Sequence, residues 1–514
     1  MIAPEQAGAG VALAAALAML CTARFRAGFF CFAIQSASVA AVAIADRQLW
    51  LLPAPALLAA AIWRLRGRSP APARVAGLKA GVIAGAILTV LCLSQDGFGI
   101  PLALVLLPMM LAATRRDPVM RLLAAGAMAN GIALTGCLVA GDDLLPLACL
   151  ALPLPMAASL PWGACGLIEA SDTRVPGRIA PLLEWAETAG AGALFVATLT
   201  VPLGALASVF APLIAFDGVV RARAGRAGGA PPPGRSLVFL LKLGLVLLAV
   251  CVNDPILSWL AVAAAATASM LAAGTRDRAV LAAIGAGLAL FGLLTLPVEA
   301  SLPAYFGLFA GFAVLAAAVP DLAIPLLVLL LRFADQAEWL PEAGPLGMGV
   351  AMIALLACSA LLMRRRRPPA DILLLAQASI AGLAIGTLQA DGRFAAAVLL
   401  ILLSLTRTAA RAAGEPASLL SIAGLAGLPP LGVFPGLVLV VLVIGSHVPW
   451  LLLPAGLALA PIMLAGLPRR IPRLSPRAAM LSIGWLPLAL ALLFGWFAPA
   501  DLVRWLAGVT MGPS

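Results

Sequence analysis

The sequence predicts an all-α, polytopic membrane protein of roughly 18 transmembrane helices, and three observations predict it. Apolar runs of about 17–22 residues recur from one end of the chain to the other, each long enough to cross the hydrocarbon core as a helix. Of the 514 residues, 63% are hydrophobic and 11% charged, whereas a soluble domain carries about 25% charge. The runs are continuous rather than alternating, which excludes a transmembrane β-barrel. The arginines fall in short loops between runs, so the net charge of +11 sets membrane orientation and does not point to nucleic acid. The eight cysteines lie mostly inside apolar segments without a pairing pattern, so neither disulfides nor a metal site is indicated.

In chain order, the first spans lie near 8–23, 27–45 and 49–63. Met1–Ala23 has no basic leader and reads as a first span rather than a cleaved signal. After the basic loop Arg64–Arg74 come spans near 76–95, 99–114 and 119–140, then an apolar run over 144–168. Residues 169–189 are polar and read as a linker between a region at 1–168 and a helical bundle at 190–514. Counting crossings forward and backward disagrees by one between 141 and 189, which either a second short span or a re-entrant segment would repair. A span near 190–212 precedes Asp217–Ser236, whose Arg, Gly and Pro content predicts a flexible basic loop on the cytoplasmic side. Spans then follow near 237–252, 254–273, 279–297, 302–319, 321–334, 345–363, 371–389 and 394–412. A broken span covers 417–445, and two more lie near 448–466 and 478–497.

The break is the most informative stretch. Ser421–Leu437 combines Pro429, Pro430 and Pro435 with Gly424, Gly427, Gly432 and Gly436. Two adjacent prolines remove backbone donors and cannot continue a helix. Inside a bilayer the freed carbonyls need protein or a water-filled cavity to satisfy them. Broken helices of this kind serve ion handling in transporters; a packing kink in an apolar bundle is the alternative.

From residue 237 onward, four segments occur in an order that resembles a known family. These are Asn253-Asp254-Pro255 with the following span, Gly311-Phe312 through Pro320, Leu373–Ile380 (LLLAQASI), and Ala426–Gly436. Together they resemble the antiporter-like, proton-conducting membrane subunits of respiratory complex I and of group 4 membrane hydrogenases of the formate-hydrogenlyase type. Ala23–Ser36 and Arg121–Leu134 are similar to the small component E-type membrane subunit of the same hydrogenases. The resemblance implies a fusion of two membrane-arm subunits, joined where the topology count fails.

The resemblance also implies proton relay by buried Glu, Lys and His, whose pKa values move readily on burial. Residue by residue, those positions are replaced. The expected helical glutamate falls on Ala263 or Ala264, and the lysine of the Gly-Phe segment on Leu315. Other lysines fall on Ile372, Thr406 and Leu437, and two acidic positions on Ala381 and Ala129. The whole chain has two lysines, Lys79 and Lys242, and one histidine, His447.

Four charged residues remain as a candidate residual polar pathway: Lys242, Asp254, Asp371 and Arg407. Each also has a plain structural reading. Lys242 can snorkel toward the basic loop, Asp254 can cap the next helix, and Asp371 can cap the helix after Pro369. Arg407 and Arg411, a turn apart, can mark the cytoplasmic end of their helix. Gly427, Pro429, Pro430 and Gly432 are the candidate broken-helix residues. Lys79 and His447 read as interfacial.

The sequence thus implies a membrane-arm subunit of a complex I-like or group 4 hydrogenase-like proton-translocating oxidoreductase, structural, with its own proton pathway degenerate. It would sit in a bacterial-type inner membrane beside other membrane-arm subunits and lipid. No catalytic centre or cofactor is implied, because no Cys, His or nucleotide constellation is present to carry one. The alternatives are an active proton or cation conductor using Lys242 and Asp254, or an unrelated secondary transporter.

Overall fold

The structure, a computed structural model, describes residues 4–22, 25–45, 180–200, 203–224, 233–252, 255–273, 276–295, 301–336, 343–363, 370–412, 417–467, 485–497 and 500–511, with isolated positions between 89 and 131. Seventeen helices have both ends among the described residues, and none of those residues forms a strand. Four are long and apolar enough to cross a membrane by length and composition, and eight shorter apolar helices accompany them. The chain is an all-α, polytopic membrane protein. The described residues fall into two compact units, Met1–Ala197 with Gly229–Gly274, and Thr198–Gly228 with Thr275–Ser514. Residues 180–189, at the end of the stretch read as a polar linker, belong to a helix, Ala180–Thr200.

In the first unit, α1 (Pro4–Cys21) packs on α2 (Phe25–Ala45). Asn130 donates from Nδ2 to Ser36 Oγ at 2.8 Å, with both side chains buried. The two segments singled out by the component E resemblance therefore meet. A Cβ on Gly131 would stand 2.5 Å from the Leu104 carbonyl oxygen, so the crossing there needs a residue without a side chain. Ala180–Thr200 is α3, and its successor α4 (Ala205–Ala224) belongs to the second unit. Back in the first unit, α5 (Pro233–Cys251) packs on α6 (Pro255–Ala273), with Leu245–Val250 and Trp259–Ala266 buried.

The single span expected near 190–212 is thus two helices, with Pro202 falling between them in the sequence. The expected flexible loop also begins later than predicted. α4 runs on through Asp217, Arg221 and Arg223, because the ion pairs described below hold its polar last turns.

In the second unit, α7 (Arg276–Thr295) and α8 (Leu302–Ala318) cross backbone to backbone. A Cβ on Gly311 would lie 2.3 Å from the Ala289 nitrogen, and one on Gly285 2.6 Å from the Leu315 nitrogen. Small residues at this spacing let membrane helices approach without a hydrophobic driving force. A short 3-10 turn, Pro320–Leu322, leads into α9 (Ala323–Gln336), followed by α10 (Ala343–Met363), α11 (Ala370–Gly386) and α12 (Ala390–Ala412).

The core of this unit is α12. In the 18-residue apolar window of its span Ala390–Arg411, 83% of the residues are buried, against 33–39% in those of the other three long apolar spans. α4, α9, α11, the halves of the broken helix and the C-terminal helices all pack on it. Those halves are α13 (Ala417–Leu425) and α14 (Phe434–His447), followed by α15 (Leu452–Gly466), α16 (Trp485–Phe497) and α17 (Ala500–Met511). Hydropathy reading overlooked α17, because it is short and carries Asp501 and Arg504 on an exposed face.

Candidate functional site

Between α13 and α14 the prolines act as expected, and the reason is local. Pro429 and Pro430 have no N–H to give the carbonyls of Leu425 and Ala426. The Leu431 N–H goes to Leu428 O at 2.9 Å, so Gly427 O is also passed over. No described backbone N–H reaches any of these three carbonyls. Gly427 (φ +79°) and Gly432 (φ +54°) take left-handed conformations, and the Pro429–Pro430 peptide is cis. A Cβ on Gly432 would also lie 2.7 Å from Gly424 Cα, so this glycine serves both the turn and the close approach. On the outer side, Trp496 donates from Nε1 to Pro430 O at 2.8 Å and stacks on Phe434 with ring centroids 6.2 Å apart.

Gln377 faces the inner side of the break. It stands on α11 inside LLLAQASI, is fully buried, and neither its Nε2 nor its Oε1 has a hydrogen-bond partner in the structure. Its Nε2 lies 3.4 Å from where a Cβ on Gly427 would be, with the tips of Leu437 and Met463 at 3.7 and 3.8 Å. Sequence reading missed Gln377. The signal was available, since an amide in a run of Leu and Ala beside a proline break is itself an anomaly.

The charged residues gather elsewhere. At the C-terminal end of α12, Arg407 donates from Nη2 to Asp321 Oδ1 at 2.6 Å and from Nη1 to the Asp321 carbonyl at 3.3 Å. Arg411 also donates to Asp321 Oδ1, and to Asp217 Oδ2 at 3.4 Å. Thr408 Oγ1 donates to Asp217 Oδ1 at 2.8 Å, and Arg221 Nη1 to Asp321 Oδ2 at 3.4 Å. Arg407 is 7% exposed. Three guanidiniums and two carboxylates thus tie α12 to α4 and to the 3-10 turn. Arginine stays protonated throughout the accessible pH range, so the three guanidiniums are fixed positive charges that clamp the two carboxylates.

Of the residues predicted from sequence, Arg407 is therefore a centre of the clamp. Asp371 is exposed in the first turn of α11, near enough to Arg411 for their charges to interact. Lys242 is half-buried within α5 of the other unit, and Asp254 lies outside the described residues. Gly427, Pro429, Pro430 and Gly432 together form the break. At the opposite end of α12, His447 Nε2 lies 2.8 Å from Asp391 Oδ2, at the partly exposed end of α14. Asp217 and Asp321 were missed, although each interrupts an apolar run (AFDGVV, AVPDLAI) and so calls for a cationic partner.

Of the described positions where the family resemblance places proton carriers, Ile372, in the first turn of α11, is half-buried and the others are interior. Leu315, Ala381 and Thr406 are fully buried and Leu437 is 4% exposed. In the other unit, Ala263 and Ala264 are at most 1% exposed. Ala129 lies outside the described residues.

Against solved structures, a chain of the NADH-bound respiratory complex I from Thermus thermophilus matches at a TM-score of 0.51 and 19% sequence identity. The match covers 70% of this chain and 98% of that one. The fold is that of a respiratory complex I chain. A chain of the same organism's complex with bound aureothin matches at 0.47 and 19% identity, over 68% of this chain and 99% of that one. No protein-family model matches the sequence, and no curated protein matches it significantly.

Proposed function

We propose that this chain is a membrane-arm subunit of a complex I-like or group 4 hydrogenase-like proton-translocating oxidoreductase, structural in role, with its own proton pathway dismantled. The observation that carries the reading is the burial of neutral side chains where the family resemblance expects proton carriers. Leu315, Ala381, Thr406 and Leu437 sit in the interior of one unit, and Ala263 and Ala264 in that of the other. Lipid exposure would make such replacements trivial; burial in the protein makes them a loss of chemistry. The complex I-like fold over 70% of the chain supports the class of assembly. The small-residue crossing of α7 and α8 and the arginine clamp supply the rigidity a packing subunit needs.

The partners are other membrane-arm subunits and lipid, in a bacterial-type inner membrane. Affinity purification of the tagged chain from its native membrane tests the assignment. Quinone-reducing or hydrogenase-type subunits are expected to co-purify in fixed stoichiometry. Recovery of the chain alone under several mild detergents, with substrate-dependent transport in vesicles, would overturn it.

A further inference from the structure

We propose that the break between α13 and α14 is a buried water-binding site, formed by the side-chain amide of Gln377 and the carbonyls of Leu425, Ala426 and Gly427. Two independent observations converge on it. The first is the helix break, where the two prolines and the turn leave three successive carbonyls without a described backbone donor. The second is Gln377, fully buried, with both amide atoms unpartnered and Nε2 directed at Gly427. Leaving such groups dry forfeits their hydration with nothing in return. No direct hydrogen bond joins the Gln377 amide to these carbonyls, and a water that accepts from Nε2 and donates to a carbonyl links them.

The chemistry favours water over a metal cation. Among the described residues, the three atoms nearest a Cβ position on Gly427 are the Gln377 amide nitrogen, a donor, and the apolar tips of Leu437 and Met463, with no carboxylate oxygen among them. A bare cation there would lose its hydration against neutral ligands only. The site holds water without holding a proton, since neither amide nor carbonyl ionises in the accessible range. It needs no partner subunit and stands whichever assembly the chain belongs to.

The full-length protein in lipid nanodiscs allows a direct test by X-ray radiolytic labelling in ¹⁸O water. Leu437, 4% exposed, is expected to incorporate ¹⁸O in the native protein, and Gln377→Leu is expected to lower that incorporation about fivefold. No label on native Leu437, or equal label in both proteins, overturns the proposal. Thermal unfolding gives the second reading. Gln377→Met is expected to lower Tm, because it removes the water's anchor; a rise in Tm would mean that the amide sits dry and orphaned. A saturable rise of native Tm with sodium chloride, absent with choline chloride, would make the site a cation site and overturn the assignment to water.

Discussion

Asp321 accepts hydrogen bonds from Arg221, Arg407 and Arg411 on two other helices, and its own carbonyl takes a further one from Arg407. Removing that carboxylate leaves Arg407, 7% exposed, without its charge partner. Breaking a buried pair by deleting one member costs about 3–5 kcal/mol. Asp321→Asn is expected to lose about 3 kcal/mol of stability, read as a fall in Tm of the detergent-solubilised protein. Asp217→Asn is expected to lose less, because Arg411 keeps its bond to Asp321 and an amide oxygen can still accept from Thr408. At the other end of α12, His447→Ala removes a partly exposed pair with Asp391 and is expected to cost less than about 1 kcal/mol. The two arginines were legible in the sequence as charges at a helix end. Their acidic partners were not, because Asp321 lies 86 residues from Arg407 and Asp217 lies 194 from Arg411, and no local pattern spans such distances.

Among the elements, the break was the most legible, because its causes are all local: two prolines without donors and two glycines in left-handed turns. Its glycines are not equivalent. At Gly427 a Cβ would meet only ordinary contacts, the nearest at 3.4 Å, so Gly427→Ala is expected to cost about 1–2 kcal/mol of left-handed strain alone. At Gly432 the same strain is joined by three backbone atoms of Gly424 at 2.7–2.8 Å. Gly432→Ala is therefore expected to be the worse by about 1–3 kcal/mol, and equal Tm shifts for the two variants would contradict this geometry. The α7–α8 crossing was half legible. Gly311 was visible as part of a Gly-Phe motif, but no local pattern reveals that its role here is to admit the backbone of Ala289 where a Cβ would stand. The helical run of α4 past Asp217 was illegible for the reason given above: long-range ion pairs override a composition that reads as loop.

For the whole molecule, the distribution of charge decides what α12 can carry. Between Arg393 and Arg407 every residue is Phe, Ala, Val, Leu, Ile, Ser or Thr, a stretch of about 21 Å at 1.5 Å per residue. This is the most buried long apolar span among the described residues, and the described charges near it collect at its two ends. Thr406 lies at one end of this stretch, next to Arg407, and Gln377 on the adjoining α11, and neither side chain gains or loses a proton near neutral pH. Proton transfer along such an axis needs successive ionisable groups within hydrogen-bond reach, directly or through one water. Reconstituted alone in liposomes, the protein is therefore expected to dissipate an imposed pH gradient no faster than protein-free vesicles, as read by a pH-sensitive dye. Leu315→Lys should not create flux, because a single amine placed at the tight α7–α8 crossing has no relay on either side of it. A native flux that disappears in Lys242→Ala or Asp254→Ala would instead establish an active conductor, routed through the other unit. The same experiment on a co-purified assembly separates the roles further: a pumping complex that keeps its proton stoichiometry when α12 carries Thr406→Val is using paths in the neighbouring subunits, as a packing role for this chain requires.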